Sequence, residues 1–231
     1  MSGTGPHLNM LRLWAKREGM CIAILERALR LLRVEKNLPV SEPDLNRRLY
    51  SCLLTAKSEL YPKDPVMPIL ECNNQPDPDD LSCATRELKR PDFQWIYCDQ
   101  YESDPQRRSK QFVVECKRLG KPFRADWVFN LNYVRNGICR FREPEHAYAK
   151  RFCSGAMVGY CQSMEPAQVL KEVNEEACRN SLPHIVPIGQ PASDCQKLEH
   201  TFDRSFPVSP FHLLHLWIDL RPSCPKKAEG R

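Results

Sequence analysis

The sequence predicts an α/β protein: a mixed β-sheet covered by helices, with a helical extension at the N-terminal end. Three observations predict it. Asp92–Cys98 and Gln111–Arg118 alternate side chains with the two-residue period of strands, separated by a polar turn at Asp99–Ser109. Segments with helical periodicity stand before and after this pair. The order along the chain is then helix, strand pair, helix, strand, helix, strand, which suits a sheet with helical layers.

Residues 8–35 read as helix, because Leu11, Trp14, Cys21, Ile24, Leu25, Ala28, Leu31 and Leu32 recur mostly at three- and four-residue steps. Gly19 is a candidate break within it. Ser41-Glu42-Pro43-Asp44 opens a second helix, with Ser41 as N-cap, Pro43 in the tolerant first turn and Asp44 at the capping-box position. Leu45, Leu49, Leu53 and Leu54 carry that helix to about Leu60. Residues 61–91 hold six prolines and read as a long irregular connection with at most one short strand, Val66–Leu70.

In the strand pair, Phe93, Trp95 and Tyr97 fall on one face, opposite Asp92, Gln94 and Ile96. Phe112, Val114 and Cys116 likewise oppose Val113, Glu115 and Lys117. A helix is expected from about Ala125 or Asn130 to Phe152, then a strand at Ala156–Cys161. Pro166–Asn180 reads as a helix rich in Glu and Lys. After a proline-rich stretch, Phe211–Leu220 is the closing strand.

Composition bounds the function. The 231 residues are 42% apolar and 27% charged, which excludes wholesale disorder. No run reaches the roughly 18 apolar residues of a membrane span. Met1–Leu13 lacks the features of a secretory signal, so a cytoplasmic chain is expected. Twelve cysteines occur with no pair at zinc-knuckle spacing, and free, mostly buried thiols are expected. A cysteine enzyme built on Cys116 beside Lys117 would lack an identifiable base. The net charge of +5 leans basic, with Lys and Arg grouped at 107–110, 117–124, 135–142 and 150–151. A polyanionic partner or an ordinary solvated face would both account for that grouping.

The constellation with chemistry in it is Pro91-Asp92, followed twenty-three residues later by Glu115-Cys116-Lys117. Carboxylates on neighbouring strands can share a hard cation such as Mg²⁺, with the backbone carbonyl of Cys116 as a third oxygen. Strand period puts Lys117 on the Glu115 face, where it could orient or deprotonate a water or steady a phosphate. Pro-Asp alone is worthless as a signal, since it recurs at 43–44, 76–77 and 78–79. A salt bridge among Asp92, Glu115 and Lys117 would use the same residues.

These residues, with a capped helix before and a helix after, resemble the PD-(D/E)XK nuclease superfamily, over roughly residues 41–161. The resemblance implies a restriction-endonuclease-like fold, with residues 1–38 as a helical extension and 39–231 as the nuclease-like domain. It implies a Mg²⁺- or Mn²⁺-dependent nuclease acting on nucleic acid, DNA before RNA, with Asp92, Glu115 and Lys117 catalytic. Asp92, Glu115 and the Cys116 carbonyl would hold the metal. Such enzymes often take a further acid from the first helix, here Glu42 or Asp44, although Asp44 serves equally well as a capping partner.

Further likeness is to small bacterial nuclease-like proteins of phage or mobile-element defence. It rests on Tyr133, Gly137, Arg140, Phe141 and Tyr148, on Gly155–Tyr160, and on His200, Arg204 and Phe211–Leu216. It implies that Arg140 clamps a phosphate and that His200 and Arg204 contact the scissile phosphate or leaving group. A homodimer or a companion defence subunit is the implied partner. The alternative is a nucleic-acid- or partner-binding subunit that keeps the nuclease fold without turnover.

Overall fold

The computed structural model describes residues 6–75, 84–122, 124, 127–189, 195–206 and 208–221. Its centre is a seven-stranded mixed sheet in the order β1-β2-β3-β4-β7-β6-β5. The strands are β1 (Ile69–Leu70), β2 (Phe93–Cys98), β3 (Ser109–Leu119), β4 (Ser154–Cys161), β5 (Val186–Pro187), β6 (Cys195–Phe202) and β7 (Phe211–Asp219). β1, β2 and β3 pair antiparallel, β3–β4 and β4–β7 are parallel, and β7, β6 and β5 again pair antiparallel.

The alternation in the strand pair sorts its side chains onto two faces. Phe93, Trp95, Tyr97, Phe112, Val114 and Cys116 enter one core with α1 (Pro6–Val34) and α2 (Glu42–Leu60). Val113 faces the other core, made with the helix over Phe129–Arg142 and with α6 (Pro166–Arg179). β4 is buried along its whole length, as expected of a parallel strand covered on both faces. Two-layer cover also explains the free thiols: Cys21, Cys52, Cys116, Cys139, Cys161 and Cys195 are buried. Cys83 and Cys224 lie outside the described residues.

α1 runs unbroken through Gly19, where an added Cβ would meet nothing within 4 Å. Its Trp14, Cys21, Ile24, Leu25, Ala28, Leu29 and Leu32 belong to the same core as the strands. α2 starts where its cap predicts: the Asp44 N–H donates to Ser41 Oγ at 3.3 Å. Among its described residues the proline-rich connection forms the two-residue β1 and the short α3 (Ala84–Glu87); Val66–Pro68 stay outside the strand.

Two expectations fail. The helix meant to reach Phe152 stops at Arg142, and its alternative start at Ala125 lies outside the described residues. The cause is Pro144, which excludes Glu143 from helical geometry; Glu143 is extended at φ −83°, ψ 135°. This helix comprises α4 (Phe129–Tyr133), a π-helical segment (Val134–Ile138) and α5 (Cys139–Arg142). The closing strand β7 forms as expected, but the stretch before it is more than a connection. β6, which was expected to be proline-rich connection, pairs with β7 in register Leu198↔His215. Residues 143–153 form an irregular loop in which Ala147 and Ala149 have positive φ.

Candidate functional site

β2 and β3 bring the two acids of the motif together. Phe93 pairs with Val114, so the register carried back one step sets Asp92 across from Glu115. Glu115 is buried, at 0% exposure, near the middle of β3, with Lys117 two residues on and facing the same way. Above them passes the π-helical segment. At Gly137 an added Cβ would lie 2.5 Å from Met157 Cε and 3.4 Å from Lys117 Cγ, so the missing side chain makes room for Met157 and lets the segment pack against the lysine stem.

The Lys117 ammonium sits among three oxygens. It donates at 2.8 Å each to Glu42 Oε1, Glu115 Oε1 and the carbonyl of Cys116. Glu42 stands at the start of α2, and its other oxygen accepts the Arg118 N–H at 3.1 Å. Arg140 NH1 also donates to Glu115 Oε1. Glu115 Oε2 is buried with no hydrogen-bond partner. Asp92 Oδ2 accepts the Cys116 N–H at 2.6 Å, and its Oδ1 accepts from Asn46 Nδ2 at 2.8 Å. Asn46 is fixed in turn by the Tyr160 hydroxyl, which donates to its Oδ1 at 2.8 Å.

Electrostatics follow from burial and crowding. Burial pushes the Asp92 carboxyl well above its usual range, and the negative charge of Glu115 pushes it further. Burial raises Glu115 too, against the pull of Lys117 and Arg140. For Lys117, burial favours the neutral amine, but Glu115, then Asp92 and Glu42, outweigh it and raise the pKa. Lys117 is therefore held as an ammonium with all three protons engaged. That setting favours the charged form over the neutral amine that a base would need.

The outward side of this cluster is a cleft of about 400 Å³, with Glu42, Lys117, Arg118, Trp127, Phe129 and Arg140 in its wall. The basic groups read from the sequence do not all meet there. Lys110 lies at the other end of the hairpin beside Asp99 and Glu102, and Arg135 is bound to Glu176. Lys117, Arg118 and Arg140 are the ones that line the cleft.

Of the predicted residues, Asp92, Glu115, the Cys116 carbonyl, Lys117 and Arg140 come together, and three others do not join them. Asp44 is an exposed cap residue whose carboxylate accepts from Ser41 Oγ at 2.5 Å and from Arg47; the acid that enters the cluster is Glu42. His200 is buried on β6, edge-on to His215 and Phe202, with two strands, β4 and β7, between it and β3. Arg204 is buried, and its guanidinium donates to the carbonyls of Tyr148 (3.1 Å), Phe152 (2.8 Å) and Val208 (2.8 Å). That binds the 143–153 loop and leaves little of Arg204 for a phosphate. Tyr133 is likewise in the core: its hydroxyl accepts from Trp217 Nε1 at 2.9 Å and bonds His215 Nδ1 at 2.7 Å.

Sequence reasoning missed Asn46, and it named Tyr160 only as part of the strand Gly155–Tyr160. A readable signal existed for Asn46, a polar residue on the inward stripe of α2 between Leu45 and Leu49.

No family model matches the chain, and neither a curated protein nor a solved structure does.

The fit to a divalent cation can be judged on the donors. Among the described residues, no three His, Cys, Asp or Glu side chains are grouped as a ready-made metal site. The atoms that do converge are carboxylate and carbonyl oxygens, the donors a hard cation takes. Each Asp92 oxygen accepts one hydrogen bond and keeps a lone pair, and Glu115 Oε2 has none. These oxygens already surround one positive charge, and their chemistry suits Mg²⁺ or Mn²⁺.

Proposed function

We propose that the chain is a metal-dependent nuclease of the PD-(D/E)XK type, hydrolysing phosphodiester bonds in nucleic acid, with DNA as the first candidate. The observation that carries this reading is the convergence of Glu42, Glu115 and the Cys116 carbonyl on Lys117, with Asp92 opposite. A restriction-endonuclease-like core is part of the proposal. It is supported by the order capped helix, antiparallel β1–β2–β3, helix, and β4 parallel to β3.

In this reading Asp92, Glu115 and the Cys116 carbonyl hold the cation, and Glu42 orients its neighbours. Bound Mg²⁺ or Mn²⁺ supplies Lewis-acid polarisation of the phosphate and a more acidic water. The protein's own groups do the rest. Lys117 presents a fixed ammonium to the developing negative charge on the phosphate. Arg140, anchored on Glu115 with part of its guanidinium toward the cleft, is placed to grip a non-bridging oxygen. Asn46, held by Tyr160, fixes the Asp92 carboxylate.

The test is incubation with supercoiled plasmid and with single-stranded DNA in Mg²⁺ or Mn²⁺. Cleavage is expected to stop with EDTA and with Lys117→Ala, and to survive thiol alkylation. Absence of any metal-dependent product from either substrate would overturn the reading.

A further inference from the structure

Trp127 is unlike the other three tryptophans of the chain. Trp14, Trp95 and Trp217 are buried in the two cores, whereas Trp127 is 46% exposed in the wall of the cleft that holds Lys117 and Arg140. Its position is set by the backbone, since its N–H donates to the Arg124 carbonyl at 3.0 Å across an isolated bridge. Beside it, Phe129 has its ring face covered by the Arg118 guanidinium, 4.2 Å from the centroid. The cleft thus pairs a half-exposed indole with cations, and Glu42 of the acid cluster lines it too. With 46% of it in water beside these cations, the indole offers part of its ring for a ligand to stack on.

We infer that Trp127 is a stacking platform for an unpaired base, and that the cleft takes single-stranded nucleic acid or a locally opened strand rather than closed duplex. The inference rests on the nuclease reading for its chemistry but not for its binding. A base can lie on an indole only if it has left its own stack. A phosphate attached to that base then falls within the field of Arg118, Lys117 and Arg140. In intact duplex the π-faces are already occupied, so an indole on a cleft wall gains nothing from it. A cleft of about 400 Å³ is at the lower end of ligand-pocket sizes, which suits one or two nucleotides and not a double helix.

The experiment is a titration of the full chain with a single-stranded oligodeoxynucleotide of about 12 nucleotides and with the duplex of the same sequence. EDTA is present throughout, so that binding is separated from cleavage. Tryptophan fluorescence is the readout, because residue 127 is the accessible indole. The single strand is expected to quench it and the duplex to do so weakly. Trp127→Ala is expected to lose about 5- to 100-fold in single-strand affinity and the quenching with it, while Trp127→Phe keeps most of the affinity. Unchanged single-strand affinity in Trp127→Ala, equal quenching by duplex, or no binding of either probe would overturn the inference. Parallel cleavage assays in Mg²⁺ separate the two readings. Binding through Trp127 without any product defeats the nuclease reading alone; cleavage indifferent to Trp127→Ala defeats this one alone.

Discussion

Glu115→Gln tests the electrostatics and the chemistry of the cluster in one substitution. The geometry favours a clean replacement: Oε1 accepts from Lys117 and Arg140, and Oε2 has no partner. A glutamine can keep its carbonyl oxygen at the first position and put its amide nitrogen at the second, breaking no hydrogen bond. What changes is charge. Because burial raises the Glu115 carboxyl despite two cations beside it, the ionised side chain costs the folded state more than its ion pairs return. Removing it also relieves Asp92 of a like charge. The variant should therefore be as stable as the parent or more stable, by about 1 kcal/mol, a rise in Tm of roughly 2–4 °C for a chain of this size. Cleavage should fall at the same time by about a thousandfold, corresponding to roughly 4 kcal/mol of lost transition-state stabilisation. Urea unfolding and calorimetry in EDTA read the first quantity; initial rates on DNA in Mg²⁺ read the second. Destabilisation by 2 kcal/mol or more would refute the electrostatic argument, and retained cleavage would refute the catalytic one.

The other expectations concern the frame. Arg204→Lys should destabilise the fold by about 3 kcal/mol, because one ammonium cannot serve the carbonyls of Tyr148, Phe152 and Val208 together. A denaturation midpoint within error of the parent would reject the tether. Gly159→Ala, whose Cβ would fall 2.4 Å from Leu119 Cδ1 and 2.5 Å from Trp217 Cδ1, should cost about 1–3 kcal/mol in the same assay; a neutral result would mean the indole can shift. Burial pushes His200 down to about 4, below its unfolded value near 6.5. The unfolded chain then binds the extra proton first, so stability is lost as pH falls from about 6.5 toward 4. Between pH 7 and pH 5 this amounts to about 2 kcal/mol, and His200→Leu should remove that share of the pH dependence; an unaltered difference between the two pH values would contradict it.

The sequence made some of this visible and hid the rest for physical reasons. Strand alternation is local, so the facing of Phe93, Trp95 and Tyr97 against Glu115 and Lys117 could be read directly, and the two cores agree with it. Choosing between Glu42 and Asp44 was not possible by the same means. Two residues on a helix differ by roughly 200° around its axis, so which acid faces the sheet depends on how α2 is rolled against it. The packing of Leu45, Leu49 and Leu53 settles that roll and brings Glu42 in. Arg204 and His200 are polar residues whose burial is set by long-range partners, and no local pattern marks a guanidinium that will bind main-chain oxygens fifty residues earlier. Pro144 was a local signal, outweighed by the apolar period on either side. Leu198, Glu199, His200, Thr201 and Phe202 do alternate, but their prolines before and after suggested a connection, and the partner that makes β6 a strand is β7.

The leading helix has a consequence for how such a chain can vary. Trp14 lies face to face on Phe152, Arg27 grips Glu59, and Lys197 of β6 reaches Glu26. Mutational drift along the solvent stripe of this helix would pass unnoticed. Drift along its inner stripe would have to be matched by changes in distant strands, such as at Tyr97, 76 residues beyond Cys21, so the helix and the sheet are bound to evolve in step.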